Sequence, residues 1–158
     1  MKQTKLTMNL DGLDKLVGAM GNDYVARVGV LGSDSARDGD LTNADLAVIH
    51  IFGSIKNNIP PRDFLKMPLE MKKKELMKVL DSETAKRALS AGDYEAVFEI
   101  LGIAAEGIVQ QAFSSAGFGQ WPALAASTKR AKGSSAPLID TAELRRAQSS
   151  DVIKRSDL

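Results

Sequence analysis

One long helix is the feature that most constrains the fold of this chain. Asp93 is followed by apolar side chains at every third or fourth position: Tyr94, Val97, Phe98, Leu101, Ala104, Ala105, Ile108 and Ala112. This spacing places them on one face of an α-helix, and aspartate is a residue type that caps a helix N-terminus. Because a helix with one apolar face must bury it, the sequence predicts a core between this helix and a sheet.

Three segments have the composition of strands. Apolar residues alternate with polar ones from Lys5 to Leu10, Tyr24 to Leu31 is rich in valine, and Gln148 to Lys154 is a candidate last strand. With the helices between them, these strands predict an α+β domain. We interpret residues 1–158 as one domain, since a chain of 158 residues has the usual length of one.

Shorter helices are predicted between the strands. Asn43 is expected to cap a helix that ends near Phe52 and has little polar face, so it should be deeply packed. Pro68 fits the first turn of the next helix. Another helix is expected from Ser82 to Ala91, with Gly92 as its stop.

The composition excludes several classes of function. A net charge of +1 gives no global attraction to nucleic acid or to a membrane, and the absence of cysteine excludes disulfides and thiolate metal sites. The segment Met1 to Leu10 lacks the apolar run of a signal peptide, so we expect a cytosolic origin. The only histidine, His50, lies between two isoleucines and is interpreted as a packing residue. No catalytic, cofactor or metal site is predicted, and we do not expect an enzyme.

The segment from Phe118 to Ala136 is predicted to be a long polar loop. It contains the only tryptophan, Trp121, and a basic group formed by Lys129, Arg130 and Lys132. Two hypotheses remain open for it. It could bind single-stranded nucleic acid, or it could become ordered against a protein partner with Trp121 as the anchor.

Two short motifs carry a resemblance to a known family. Phe52-Gly53 is followed by Ile59-Pro60-Pro61-Arg62-Asp63-Phe64, and Lys132-Gly133 leads to Pro137-Leu138-Ile139-Asp140-Thr141. In this order and spacing, residues 43–153 resemble the virion morphogenesis (tail-completion) proteins of long-tailed DNA bacteriophages. The resemblance implies a small, mainly antiparallel sheet packed with helices, as in tail terminators.

The same resemblance implies a structural role in the virion. Such proteins form a ring, commonly a hexamer, at the head-proximal end of the tail, where the ring stops growth of the tail tube and meets the head connector. The expected partners are copies of the chain itself, the tail tube protein and the connector, with DNA passing through the ring and no membrane involved. The protein would be made in the host cytoplasm. A neck or head–tail connector adaptor is the nearest alternative.

The candidate contact residues follow from these motifs and from the polar loop. The extended Pro60-Pro61 setting would hold the Arg62 guanidinium ready for a bidentate contact. The predicted interface residues are Phe52, Gly53, Pro60, Pro61, Arg62, Phe64, Trp121, Lys129, Arg130, Lys132, Leu138, Asp140, Thr141 and Leu144.

Overall fold

The computed structural model describes residues 24–31, 41–124, 130 and 143–158. Its elements are β1 (Tyr24–Val30), α1 (Asn43–Phe52), α2 (Lys66–Met71), α3 (Lys73–Lys78), α4 (Glu83–Ala91), α5 (Tyr94–Ser114), α6 (Glu143–Arg146) and β2 (Gln148–Lys154), with short 3-10 turns at Val79–Asp81 and Arg155–Asp157. Helices with a small antiparallel sheet confirm the predicted α+β class. The predicted strand from Lys5 to Leu10 lies outside the described residues.

The sheet joins two strands that are far apart in sequence. β1 and β2 pair antiparallel, from Tyr24 opposite Lys154 to Val30 opposite Gln148, which confirms both predicted strands. Two strands alone are marginally stable in water, so they need a helix to cover one face. α5 supplies that cover. At Gly102 an added Cβ would lie 3.4 Å from the Ser150 Cβ and 3.7 Å from the Ala26 Cβ, which are ordinary contact distances, so this part of α5 lies directly on both strands.

The long helix begins and packs as its sequence predicts, although its most buried part lies nearer its C-terminal end than the apolar spacing predicts. The Asp93 carboxylate accepts a hydrogen bond from the Ala96 amide at 3.1 Å and caps α5. Leu101, in the middle of the stripe, is only half-buried, whereas Val109 and Phe113 are fully buried. By length and mean hydropathy, 1.3, α5 could cross a membrane. In this structure 39% of its apolar window is buried, and α5 packs against both strands.

The described core lies around the last turns of α5. Phe113 contacts the Phe64 ring with centroids 4.9 Å apart and the Trp121 ring edge-on at 6.0 Å. Ala47 of α1 and Leu144 of α6 close the same cluster. This packing joins segments from both halves of the described chain.

Two expectations about the shorter helices are wrong. Thr42, not Asn43, caps α1, because its side chain and that of Asp45 form a reciprocal capping box. α1 is also not deeply packed: Ala47 faces the core, but Phe52 is 76% exposed. The other two hold. Pro68 is buried in the first turn of α2. Ser82 caps α4, and Gly92 ends it with a left-handed φ of 74°.

An ion pair between the side chains of two directly opposed residues links the strands. The Arg27 guanidinium donates to both carboxylate oxygens of Asp151, with the Nε–Oδ1 distance at 2.8 Å. These hydrogen bonds hold the pKa of Asp151 below its ordinary value. A carboxylate whose folded pKa is depressed stabilises the fold above its unfolded pKa of about 3.9, and this contribution is lost as the pH falls through the folded pKa.

We therefore expect Asp151→Asn to make the stability of the protein depend less on pH under acid conditions. Below about pH 4, the Tm of the wild type should fall more steeply with decreasing pH than the Tm of the variant. At higher pH the two curves of Tm against pH should run parallel. The measurement is thermal unfolding by circular dichroism across this range. Asp81→Asn serves as the control, because Asp81 forms no ion pair within the described residues. If Asp81→Asn reduced the acid sensitivity of Tm as much as Asp151→Asn does, that sensitivity could not be assigned to the Arg27–Asp151 ion pair.

Candidate functional site

The first motif builds a buried junction rather than an exposed strut. Arg62 is only 5% exposed. Its Nε donates to the Pro122 carbonyl at 3.1 Å and its Nη2 to the Ala123 carbonyl at 3.3 Å. The Arg62 amide also donates to the His50 carbonyl at 2.6 Å. Burial lowers the pKa of the Arg62 guanidinium, which still carries its charge at neutral pH. The expectation that Arg62 is an exposed contact residue is therefore wrong.

The two residues after Arg62 extend this junction. The Asp63 carboxylate accepts hydrogen bonds from the Leu65, Lys66 and Met67 amides at 2.9 to 3.0 Å and so caps the start of α2. Phe64 is completely buried. Because its side chain is enclosed by this chain's own core, Phe64 cannot contact a partner as predicted.

Trp121 also belongs to the core. It is 8% exposed, and its indole N–H donates to the Asp63 carbonyl at 3.0 Å. Gly117, with a left-handed φ of 66°, lies beneath the ring; an added Cβ would be 2.3 Å from its nitrogen. The prediction that Trp121 is an available anchor for a neighbour is wrong, because the ring already fills a pocket in its own chain.

The residues just before the motif form a braced turn. Ser54 and Ile59 exchange two backbone hydrogen bonds of 2.8 and 2.9 Å. Gly53 joins α1 to this turn with a φ of 75°, and a Cβ there would lie 2.7 Å from the Ile59 carbonyl oxygen and 2.9 Å from the Pro61 nitrogen. Only glycine fits this position without moving backbone. α1, the turn and the proline segment are thereby fixed to one another.

This braced turn holds large apolar side chains in solvent. Phe52 is 76% exposed, Val48 one helical turn earlier is 56% exposed, and Ile55 at the turn is fully exposed. We call Val48, Phe52 and Ile55 the apolar projection. Isolated exposed apolar residues are ordinary, but several in one short segment indicate a contact surface. Phe52 is thus the predicted interface residue whose placement suits a contact best.

The remaining predicted interface residues have varied positions. Pro61 and Arg130 are exposed, Gly53 and Pro60 are half-buried, and Leu144 is buried in the core, which corrects its assignment as a contact residue. Those outside the described residues are Lys129, Lys132, Leu138, Asp140 and Thr141.

Sequence reasoning missed Val48, Ile55 and Ile103. A signal existed for two of them. Ile55 is an isoleucine between Ser54 and Lys56 in a polar turn. Ile103 lies off the apolar stripe of α5, and it is 67% exposed beside an open cavity between α5 and β2. An apolar residue that breaks the expected pattern is the feature that both share.

Two features of the described residues bear on the metal and nucleic-acid hypotheses. Within 24–31, 41–124, 130 and 143–158, no group of three or more histidine, aspartate and glutamate side chains could hold a metal ion. The burial of Trp121 also removes the aromatic platform on which the nucleic-acid hypothesis depended.

Comparison with known protein families, with curated proteins and with solved structures finds no match to this chain. The resemblance to tail-completion proteins therefore depends on the two motifs alone.

Proposed function

We propose that this protein is a structural virion protein that forms a ring at the head-proximal end of a phage tail. There it would end growth of the tail tube and allow the head to join. The proposal draws on the motif resemblance, and one observation carries it further. The residues of Phe52-Gly53 and Ile59–Phe64 brace a turn that leaves Phe52 and Ile55 in solvent.

A rigid exposed surface is what such a role needs. A backbone segment that is already fixed loses little conformational entropy when it binds, so more of the contact energy appears as affinity. A ring that ends a polymer acts by placing surfaces against the tube, the connector and its own copies. Its partners would accordingly be copies of this chain, the tail tube protein and the connector, with DNA passing through and no cofactor.

The test is deletion of the gene from the phage or prophage that carries it, followed by electron microscopy of the particles. We expect tails of uncontrolled length and filled heads without tails, because neither tube growth nor joining would be completed. Supplying the wild-type protein from a plasmid should restore tails of uniform length joined to heads. A plasmid that encodes the Phe52→Asp variant should restore them poorly.

Two outcomes would contradict the proposal in different ways. Normal tails joined to heads in the deletion strain would refute any role in tail completion. Tails of normal length that remain unjoined would instead identify a neck adaptor, since an adaptor acts after the tube has reached its final length.

A further inference from the structure

The chain carries a second surface feature besides the apolar projection. An open cavity of about 330 Å³ lies between α5 and β2, and its lining residues are Glu99, Gly102, Ile103, Ser150, Asp151 and Val152. An apolar cavity of about 150 Å³ suffices to hold a benzene ring. The space between α5 and β2 is open to solvent and its lining is partly polar, but its volume is sufficient for a phenylalanine ring beside Ile103 and Val152.

The projection and the cavity lie on different elements. The projection belongs to α1 and the turn that follows it, and α1 packs through Ala47 near the last turns of α5. The cavity lies against α5 at Glu99 to Ile103, two to three helical turns before Val109. None of the projection's residues lines the cavity, so one copy of the chain presents two distinct surfaces.

Charge distinguishes between two ways in which copies could meet. Lys56 is exposed directly after Ile55, and Glu99 lines the cavity. Neither forms an ion pair within the described residues. A two-fold contact through the projection alone would bring Lys56 of one copy near Lys56 of the other. A contact between projection and cavity instead brings Lys56 of one copy toward Glu99 of the other. Opposite charges favour the second arrangement.

We propose that the apolar projection of one copy inserts into the α5–β2 cavity of a second copy, with Phe52 as the central anchor. Each copy then offers one projection and one cavity, so the contact repeats head to tail and closes into a ring when the rotation permits. This inference deepens the proposed tail function and depends on it only for closure of the ring. Lys56 and Glu99 lie at the rim and fix the orientation.

The first experiment measures the mass of the purified chain by light scattering over a range of concentrations. Wild-type protein should form species larger than a monomer. Phe52→Asp removes the projection and Ile103→Asp blocks the cavity, and each should weaken association by about 30-fold or more, as expected for loss of a central aromatic anchor. Met77→Asp is the matched control, because Met77 is an exposed apolar residue, 50% accessible, that belongs neither to the projection nor to the cavity lining.

The second experiment mixes the two defective variants in equal amounts. The Phe52→Asp chain keeps an intact cavity and the Ile103→Asp chain keeps an intact projection, so one productive contact remains. We expect a heterodimer and no larger species. A mixture that stays monomeric would overturn the head-to-tail arrangement, because the two surfaces would then not be complementary.

Charge reversal provides an independent check. Lys56→Glu should weaken association by roughly 2- to 5-fold, as for a rim ion pair, and the Lys56→Glu, Glu99→Lys double variant should recover it. Circular dichroism of every variant separates loss of assembly from loss of fold.

Three results would overturn the inference without deciding the tail function. Wild-type protein that stays monomeric at all concentrations, or variants that assemble like wild type, would show that the surfaces do not join copies. Loss of binding to purified tail tubes by Phe52→Asp, with assembly unchanged, would assign the projection to the tube protein. Conversely, head-to-tail contacts with normal tails in the deletion strain would leave this inference intact and remove the tail function.

Discussion

Replacing Phe113 by alanine is expected to lower the free energy of unfolding by about 3–5 kcal/mol. The Phe113 ring is 1% exposed and contacts Phe64 and Trp121, so alanine would leave a cavity at the point where three segments meet. Domains of this kind are stable by only about 5–15 kcal/mol, so the loss would be a large fraction of the total. Urea unfolding followed by circular dichroism measures it.

The chain supplies a matched control for this substitution. Phe52→Ala removes the same atoms from a side chain that is 76% exposed, and it should change the monomer's stability by less than about 0.5 kcal/mol. Phe113→Leu, which keeps part of the buried volume, gives a smaller loss and remains measurable if the alanine variant does not fold. Similar losses for Phe52→Ala and Phe113→Ala would contradict the placement of the core.

Replacing Arg62 by alanine is expected to cost about 1.5–3 kcal/mol of monomer stability, the range for hydrogen bonds made by a charged group. The Arg62 guanidinium donates hydrogen bonds to the Pro122 and Ala123 carbonyls. Loss of these hydrogen bonds should release the segment that carries Trp121. Tryptophan emission should then shift toward that of a solvent-exposed indole. Arg62→Lys should give an intermediate loss, because lysine keeps the charge but not the planar pair of donors.

Arg87→Ala is the control for Arg62→Ala, because Arg87 is exposed on α4. It should leave both stability and tryptophan emission unchanged. An Arg62→Ala protein with wild-type stability would show that the junction does not support the fold. This expectation replaces the interpretation of Arg62 as an assembly residue: a defect in assembly caused by Arg62→Ala would follow from a loosened fold, whereas one caused by Phe52→Asp would not.

The elements that could be predicted from the sequence are those that local interactions define. The Asp93, Ser82 and Gly92 helix ends depend on hydrogen bonds to backbone groups only a few residues away. The apolar spacing of α5 requires no knowledge of what covers it. The missed cap at Thr42 is also local: Asp45 three residues later completes a capping box, and this was the available signal.

The candidate site was harder to predict because burial depends on distant partners. Pro60 and Pro61 predict an extended segment, and an arginine in such a segment is most simply interpreted as exposed. Arg62 nevertheless contacts a carbonyl 60 residues later in the chain, and Trp121 contacts one 58 residues earlier. No spacing within either segment encodes these contacts.

The sequence by itself determined the α+β class, the β1 and β2 segments as strands and the long core helix, whereas the pairing of β1 with β2 was decided by the tertiary structure. The motif that resembles tail-completion proteins was also visible in it. Only the tertiary structure decided that Arg62, Phe64 and Trp121 are internal while Phe52, Ile55 and Ile103 face solvent. The physical reason is that helix and strand periodicity is set by neighbouring residues, whereas the exposure of one side chain is set by which distant segment comes to lie against it.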